Sequence, residues 1–299
     1  MRWCGSAVYE RLWAPLFRLK FLEHAENISA AWIWTRIKRV GTSRRSLFQE
    51  ELGYIDGGSE TLIKALSAAI VERGGIVRTS SPVERIEIAA GRVAGVAVKG
   101  RLEPVDAVIS TVPTPHVARM APGLPEDLRA RYDAIHNIGV MCLVFKLARS
   151  VSRHFWVNVC DPAIEIPGFV EFSNLRPVGK TIVYVPYYMP TSHPKFAWDD
   201  ARIVDEAFGY LRRVNPTLQR DDLLDWRVAR LRYAQPVCPP GFAALIPPVQ
   251  TPVAGLQIAD TCFYYPEDRG ISESVRLGKE MAEALGPATI EAQENAGPG

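Results

Sequence analysis

Apolar residues recur along this chain at two spacings, and the switches between them mark its elements. Near the start, Leu12, Trp13, Leu16, Leu19 and Phe21 are interleaved with Arg11, Arg18 and Lys20 at the helical period, which predicts an amphipathic helix over residues 7–22. Such a face suits a protein core; it also suits a membrane surface or an apolar substrate tunnel. A second helix is expected over residues 28–39, with Asn27 or Ser29 as its N-cap. Gly57, Gly58 and Ser59 then read as a turn and cap, and Leu62, Leu66, Ala69 and Ile70 as one face of a third helix. Gly74 and Gly75 stop it.

Past Gly75 the period falls to 2. Four short strands are predicted, over residues 76–79, 83–88, 93–98 and 105–110, the last a continuous apolar run of the buried kind. The run Thr111-Val112-Pro113-Thr114-Pro115 breaks the pattern and marks a first boundary. Beyond it, strands are expected over 139–147, 155–159, 168–173, 181–187 and 226–233, with one helix over 199–214 closed by Asn215 and Pro216. A proline-rich stretch from Pro236 to Pro252 marks the second boundary. A buried strand over 256–259 follows, then a loop, then a helix opening at Gly270. Residues from Pro287 onward read as a frayed tail.

Composition narrows the function. The 299 residues, 47% of them hydrophobic, suffice for one large domain or two interleaved ones. Lys and Arg number 35 against 33 Asp and Glu, a net charge of +2, so nucleic acid is not an expected partner. The short basic spots Lys38-Arg39 and Arg44-Arg45 read as solvated helix ends. Cys4, Cys142, Cys160, Cys238 and Cys262 form no CxxC pair, and the five histidines form no HExxH. Neither a disulfide framework nor a zinc site is expected. That usage fits a reducing, cytoplasmic setting. No apolar run reaches a membrane-spanning length and no signal-peptide core opens the chain, while the first helix leaves peripheral membrane contact open. A helix starting this close to residue 1 leads us to expect further chain upstream.

No nucleophile elbow, phosphate-binding loop or paired His/Cys arrangement occurs, so a cofactor is expected to carry any chemistry. The strongest candidate site follows the strand over 256–259. Asp260 ends that strand, where ligands of open α/β sheets bind, and can accept a hydrogen bond from a sugar hydroxyl; capping a turn suits it equally. The helix start at Gly270, Ile271 and Ser272 offers amides to an anion or an electron-rich ring edge, although Glu273 suits a plain capped helix as well. Arg269 either pairs with Glu267 or Asp268 or neutralises a cofactor charge, and Phe263-Tyr264-Tyr265 either wall a flat ligand or fill a core.

These segments carry a family resemblance. GYIDGGSETLIKALSAAIVERGGIVRTSSPVERIE, followed by GRVAGV and DAVISTVP, resembles the middle of the flavin-dependent amine oxidase, protoporphyrinogen oxidase and phytoene desaturase superfamily. GLQIADTCFYYPEDRGISESVRLG resembles its closing flavin motif. YERLWAPLFRLKF and ISAAWIWTRI resemble the helical part before the Gly-Gly turn of bacterial NAD(P)/FAD-dependent oxidoreductases. The resemblance implies FAD as cofactor. It implies Val83 at the adenine, Thr111, Val112 and Pro113 on the adenosine side, and Asp260 at the ribityl–pyrophosphate region. It implies the amides of Ser274 and Val275 at the flavin's pyrimidine edge. The family's Gly-Asp is Ala259-Asp260 here, and its Gly-Ala-Val is Glu273-Ser274-Val275. A larger departure lies elsewhere: family members open with a strand, a G-x-G-x-x-G turn, a helix and an acidic residue, and nothing in these 299 residues matches that unit. Without it a sheet loses its central strand and keeps an open edge.

The expected fold class is therefore α/β (α+β overall): an incomplete FAD-binding Rossmann-like domain with an interleaved substrate domain of mixed sheet plus helices. Residues 1–50 are expected as a helical part of the substrate domain, 51–113 as an FAD-domain segment, 114–249 as the substrate domain, 250–286 as the C-terminal FAD-domain segment and 287–299 as tail. The implied activity is hydride transfer to flavin from a small apolar or amine-bearing molecule, at a C–H bond next to nitrogen or in a polyene. No catalytic side chain is identified. Two other readings stay open. One is a non-catalytic fragment or subunit that needs a separate nucleotide-binding half. The other is a non-redox flavin-dependent sugar-nucleotide mutase, with Arg230 and Arg232, two apart on a strand, holding a diphosphate.

Overall fold

The structure, a computed structural model, describes residues 5–42, 44–46, 49–51 and 53–286. The tail expected over 287–299 lies outside them. The helical period near the start is realised as α1 (Ser6–Val8), a π-helical turn over Tyr9–Trp13, and α2 (Ala14–Phe21), followed by α3 (Ala30–Thr42). Two short strands, β1 (Arg44–Ser46) and β2 (Gln49–Glu50), pair antiparallel. Next comes α4 (Ser59–Glu72), whose cap is Gly58, at a φ of 79° that suits glycine. A meander of β3 (Val83–Ala89), β4 (Arg92–Val98) and β5 (Arg101–Glu103) leads to β6 (Val108–Ser110). Then follow α5 (Val117–Met120), α6 (Glu126–Asp133), β7 (Asn137–Leu147), β8 (Trp156–Asn158), β9 (Gly168–Glu171) and β10 (Thr181–Met189). The chain closes with α7 (Asp200–Val214), β11 (Leu223–Pro236), α8 (Phe242–Leu245), β12 (Leu256–Ile258) and α9 (Ile271–Leu285).

The chain divides into two compact units, Met1–Ser29 with Ile135–Gly241 and Ala30–Ala134 with Phe242–Gly299. The composition shifts instead drew lines after residues 50, 113 and 249. The physical reasons for the difference are local. Ser29 N–H donates to the Cys238 carbonyl at 2.8 Å, tying it to the first unit. Thr35 donates to the Pro266 carbonyl at 2.8 Å, and Arg36 and Arg39 both pair with Asp268, tying α3 to the second. Helices α5 and α6 bury Val117, Met120, Leu128 and Tyr132 in the same core as Leu256 and Ile258, so they too belong to the second unit.

In the first unit, five antiparallel strands run in the order β11-β7-β10-β9-β8. Strict alternation buries Met141, Leu143, Phe145 and Leu147 on β7 and Val183, Val185 and Tyr187 on β10, with Val183 opposite Phe145 and Val185 opposite Leu143. Helix α7 covers that face with Ile203, Val204, Ala207, Phe208 and Leu211. Each of the larger of these side chains, Val, Leu, Ile, Phe and Met, contributes roughly 1.5–3 kcal/mol by leaving water. The helix starts where the sequence placed it, because the Asp199 carboxylate accepts the Arg202 N–H at 2.9 Å. Helix α2 packs on β10, with the Lys20 ammonium 5.3 Å from the Tyr188 ring centroid.

The second unit holds the β3-β4-β5 meander and a parallel pair, β6 and β12. Alternation along β12 splits its contacts between two helical layers. Leu256 and Ile258 join the α5/α6 core, while the Gln257 side-chain amide donates to the Met281 carbonyl of α9 at 3.1 Å. Two expectations fail here. Residues 76–79 are not a strand, and of residues 105–110 only the last three pair. A strand needs a neighbour, and among the described residues no strand pairs with residues 76–79. Among the described residues no helix is long and apolar enough to cross a membrane.

Candidate functional site

The parallel register sets Val108 opposite Leu256 and Ser110 opposite Ile258, so β6 and β12 release their loops side by side. The Ala259 N–H still donates to the Ser110 carbonyl at 3.0 Å. In the gap beyond stands Asp260, only 9% exposed. One carboxylate oxygen accepts the Thr114 N–H at 2.7 Å, and the other accepts the Cys262 N–H at 2.8 Å. The second of these caps the 3₁₀ turn Thr261–Tyr264. The turn-capping role is thus realised, and each oxygen keeps a further lone pair for a ligand hydroxyl.

Around this carboxylate lies a layer of buried hydroxyls. Among the described residues, Ser110 Oγ, Thr114 Oγ1 and Tyr132 OH have no hydrogen-bond partner. Burial, above all, and then nearby Cys262 and Asp260 push the Tyr132 hydroxyl far above its usual pKa, against the opposing pull of Arg131. The tyrosine is therefore a neutral donor at any working pH.

The third part is the start of α9. Gly270 provides no side-chain cap. Inside the helix the Ser274 N–H already donates to the Gly270 carbonyl at 3.0 Å, and the Ser274 hydroxyl lies 2.9 Å from the Tyr264 hydroxyl. The amides with no intrahelical acceptor are those one turn earlier, at Ile271, Ser272 and Glu273. The family resemblance implied Ser274 and Val275, whereas the helix start read from the sequence at Gly270, Ile271 and Ser272 already includes two of these three. Val275 is 60% exposed.

The remaining candidates are placed as follows. Thr111 is exposed, Val112 is half-buried against the α5/α6 core, and Pro113 caps the 3₁₀ turn Thr114–His116. These three share the strand-end gap with Asp260. Val83 does not: it opens β3 in the other sheet, opposite Val98. The aromatic run fills a core, with Tyr264 packed against Leu277 and Met281 and Tyr265 edge-on to Phe242 at 5.2 Å. Asp268 is taken by Arg36 and Arg39. Arg230 is held by Asp200 at 2.5 Å and by the Trp198 and Phe196 carbonyls, which leaves its guanidinium committed within the first unit. Among the described residues no cluster of His, Cys, Asp or Glu could hold a metal ion.

The donor set suits a flavin nucleotide in kind. A carboxylate at a parallel strand end matches sugar-chain hydroxyls, and uncapped amides with a positive helix dipole match an electron-rich ring edge.

The family model of the flavin containing amine oxidoreductases matches residues 6–264. No curated protein matches the chain. Among solved structures, a provisionally named protoporphyrinogen oxidase from Exiguobacterium sp. 255-15 is 17% identical with a TM-score of 0.73, over 96% of this chain and 65% of that one. Cyclohexylamine oxidase from Brevibacterium oxydans IH-35A is 14% identical with a TM-score of 0.65, over 97% and 66%. A reduced UDP-galactopyranose mutase is 14% identical with a TM-score of 0.61, over 81% and 56%. At such identities the likeness is one of fold. The chain spans less than two thirds of the length of each of these structures.

Proposed function

We propose, from the premise that this chain belongs to the flavin containing amine oxidoreductase family, that it carries the closing half of an FAD site in an oxidoreductase. The observation that carries the reading is the pairing of a buried strand-end carboxylate, Asp260, with the uncapped start of α9. Asp260 would hold the ribityl–pyrophosphate region. Thr111, Val112 and Pro113 would take the adenosine side, and Val83, on β3, would meet the adenine. The α9 start, from Ile271 to Val275, would take the pyrimidine edge. A bound flavin supplies the hydride acceptor; this chain's residues bind it, orient it and keep its polar edge paired. The substrate is a small apolar or amine-bearing molecule that gives up a hydride. A cytoplasmic setting, with peripheral membrane contact through the first helix, accords with the sequence.

The chain spans under two thirds of the length of its structural neighbours and contains no glycine-rich strand–turn–helix unit, so only the closing half of the site is proposed for it. The mutase reading loses its arginine pair, because Arg230 is engaged.

The test is a titration of the purified chain with FAD, followed by flavin fluorescence and visible absorption. Saturable quenching with shifted flavin bands is expected. Flavin that stays spectrally free at every concentration, while the chain remains folded, would contradict the reading.

A further inference from the structure

Near the end of β11, Gln235 is only 2% exposed, and among the described residues neither its Nε2 nor its Oε1 has a hydrogen-bond partner. A second buried glutamine differs: Gln257 donates from Nε2 to the Met281 carbonyl at 3.1 Å. A carboxamide carries both donors and acceptors, and burying it with both ends unpaired is costly. Polar groups close to it in the chain are committed to other bonds. The His136 carbonyl accepts the Val237 N–H at 2.9 Å, the Cys238 carbonyl accepts the Ser29 N–H at 2.8 Å, and the Asn137 amide donates to the Ile135 carbonyl at 3.3 Å.

The strand is irregular where it delivers this amide. Leu231 stands opposite Val140 and Gln235 opposite Ile138, so four steps along β11 match two along β7. Such a bulge re-aims the side chains that follow it. Gly139 makes room for it, since a Cβ there would stand 3.2 Å from the Arg232 carbonyl. Opposed residues share a face, so Gln235 lies on the side of the sheet that carries Ile138, Val140, Leu231 and Tyr188. The other side is the one that α7 covers. The Gln235 side is apolar and partly open: Val140 and Tyr188 are half-buried, and Leu231 is 57% exposed. A dry amide thus sits at the end of an apolar surface.

We infer that Gln235 anchors a small ligand on this face of the first unit, and that the ligand presents a carboxamide or lactam edge on an apolar body. An N–H beside a carbonyl pairs with both ends of the glutamine amide at once, while the apolar body rests against Ile138 and Val140. A lone amine satisfies only Oε1, and a ketone only Nε2. A single water here would find few partners besides the amide, because the side chains that share its face are mostly apolar. That this ligand is the molecule oxidised rests on the function proposed above; the subsite itself rests on the unpaired amide and the face beside it.

The test is NMR of the full, isotope-labelled chain without flavin. The Gln235 side-chain amide resonances are followed through titrations with benzamide, δ-valerolactam and, as a control, acetophenone. Saturable shifts with either amide are expected, with a response to acetophenone at least about tenfold weaker, as befits the loss of one hydrogen bond. Gln235→Met keeps the side chain's length and removes the unpaired group, so circular dichroism should show it folded. Ligand-detected saturation transfer should show it binding benzamide at least about tenfold more weakly. Should that variant fail to fold, the wild-type titration decides alone. No shift with either amide up to its solubility limit, an equal response to acetophenone, undiminished binding by a folded Gln235→Met, or a resonance that stays in contact with an ordered water whatever is added would overturn the proposal. Amide binding by a chain that binds no FAD leaves the subsite intact and removes the flavin reading; FAD binding without amide binding does the reverse.

Discussion

The Asp260 carboxylate accepts the Thr114 N–H at 2.7 Å across 146 residues of sequence, and this bond joins the loops that leave the two parallel strands. With the Cys262 N–H on its other oxygen, Asp260 fixes the geometry of the gap between them. Its role is structural before it is ligand-binding. Asp260→Ala leaves two backbone donors without their acceptor, and each charged hydrogen bond contributes about 1.5–3 kcal/mol. Urea unfolding should show a loss of roughly 2–4 kcal/mol by that reasoning, and Asp260→Asn, which keeps one acceptor, should lose less. Wild-type stability in both variants would show that the loops are held some other way.

Tyr132 gives the opposite sign. Its hydroxyl is buried and has no partner among the described residues, so Tyr132→Phe removes an unpaired polar group and keeps the ring. Thermal unfolding should show a stability that is unchanged or higher by about 1 kcal/mol. A loss above that size would mean that an ordered water satisfies the hydroxyl.

Much of this site could be read in the chain, and the parts that could not have physical causes. The α7 start was legible because Asp199 and its apolar period act locally. The strand ending at Asp260 was legible as a continuous apolar run. Whether that aspartate caps or binds was not, since Thr114, its partner, lies on a distant loop. Helices α5 and α6 escaped notice because α5 is four residues long and α6 is mostly charged, burying only Leu128 and Tyr132. Residues 76–79 were read as a strand from side-chain type alone, and the missing ingredient, a neighbouring strand, is not a local property.

Asp222 links stability to pH. The Gln219 N–H, first, and then the Arg149 guanidinium hold its carboxyl below the usual carboxylate range, against the opposing effect of burial. A depressed folded-state pKa contributes stability that is present above the unfolded value of about 3.9 and lost as pH falls through the folded value. Asp222→Asn should therefore be less stable than wild type at neutral pH, and the gap should close in acid. Denaturation curves across that range test the sign; a gap that widens in acid would refute it.

The cysteines should differ in reactivity. Cys160 is exposed, Cys238 and Cys262 are buried, and burial pushes the Cys142 thiol up. Thiolate fraction and access both set the rate. Timed alkylation of the native protein, mapped by peptide mass spectrometry, should label Cys160 first among these four and Cys142 much later. Equal rates would mean that the first unit's sheet opens readily.

On the function proposed above, the loop after β6 and the start of α9 together receive a flavin nucleotide. Hydrogen exchange of the chain with and without FAD, up to the solubility limit of the nucleotide, tests it most directly. Slower exchange is expected in peptides covering 111–113 and 271–273, an effect abolished in a folded Asp260→Asn variant. Unchanged exchange in both segments at every FAD concentration would contradict it.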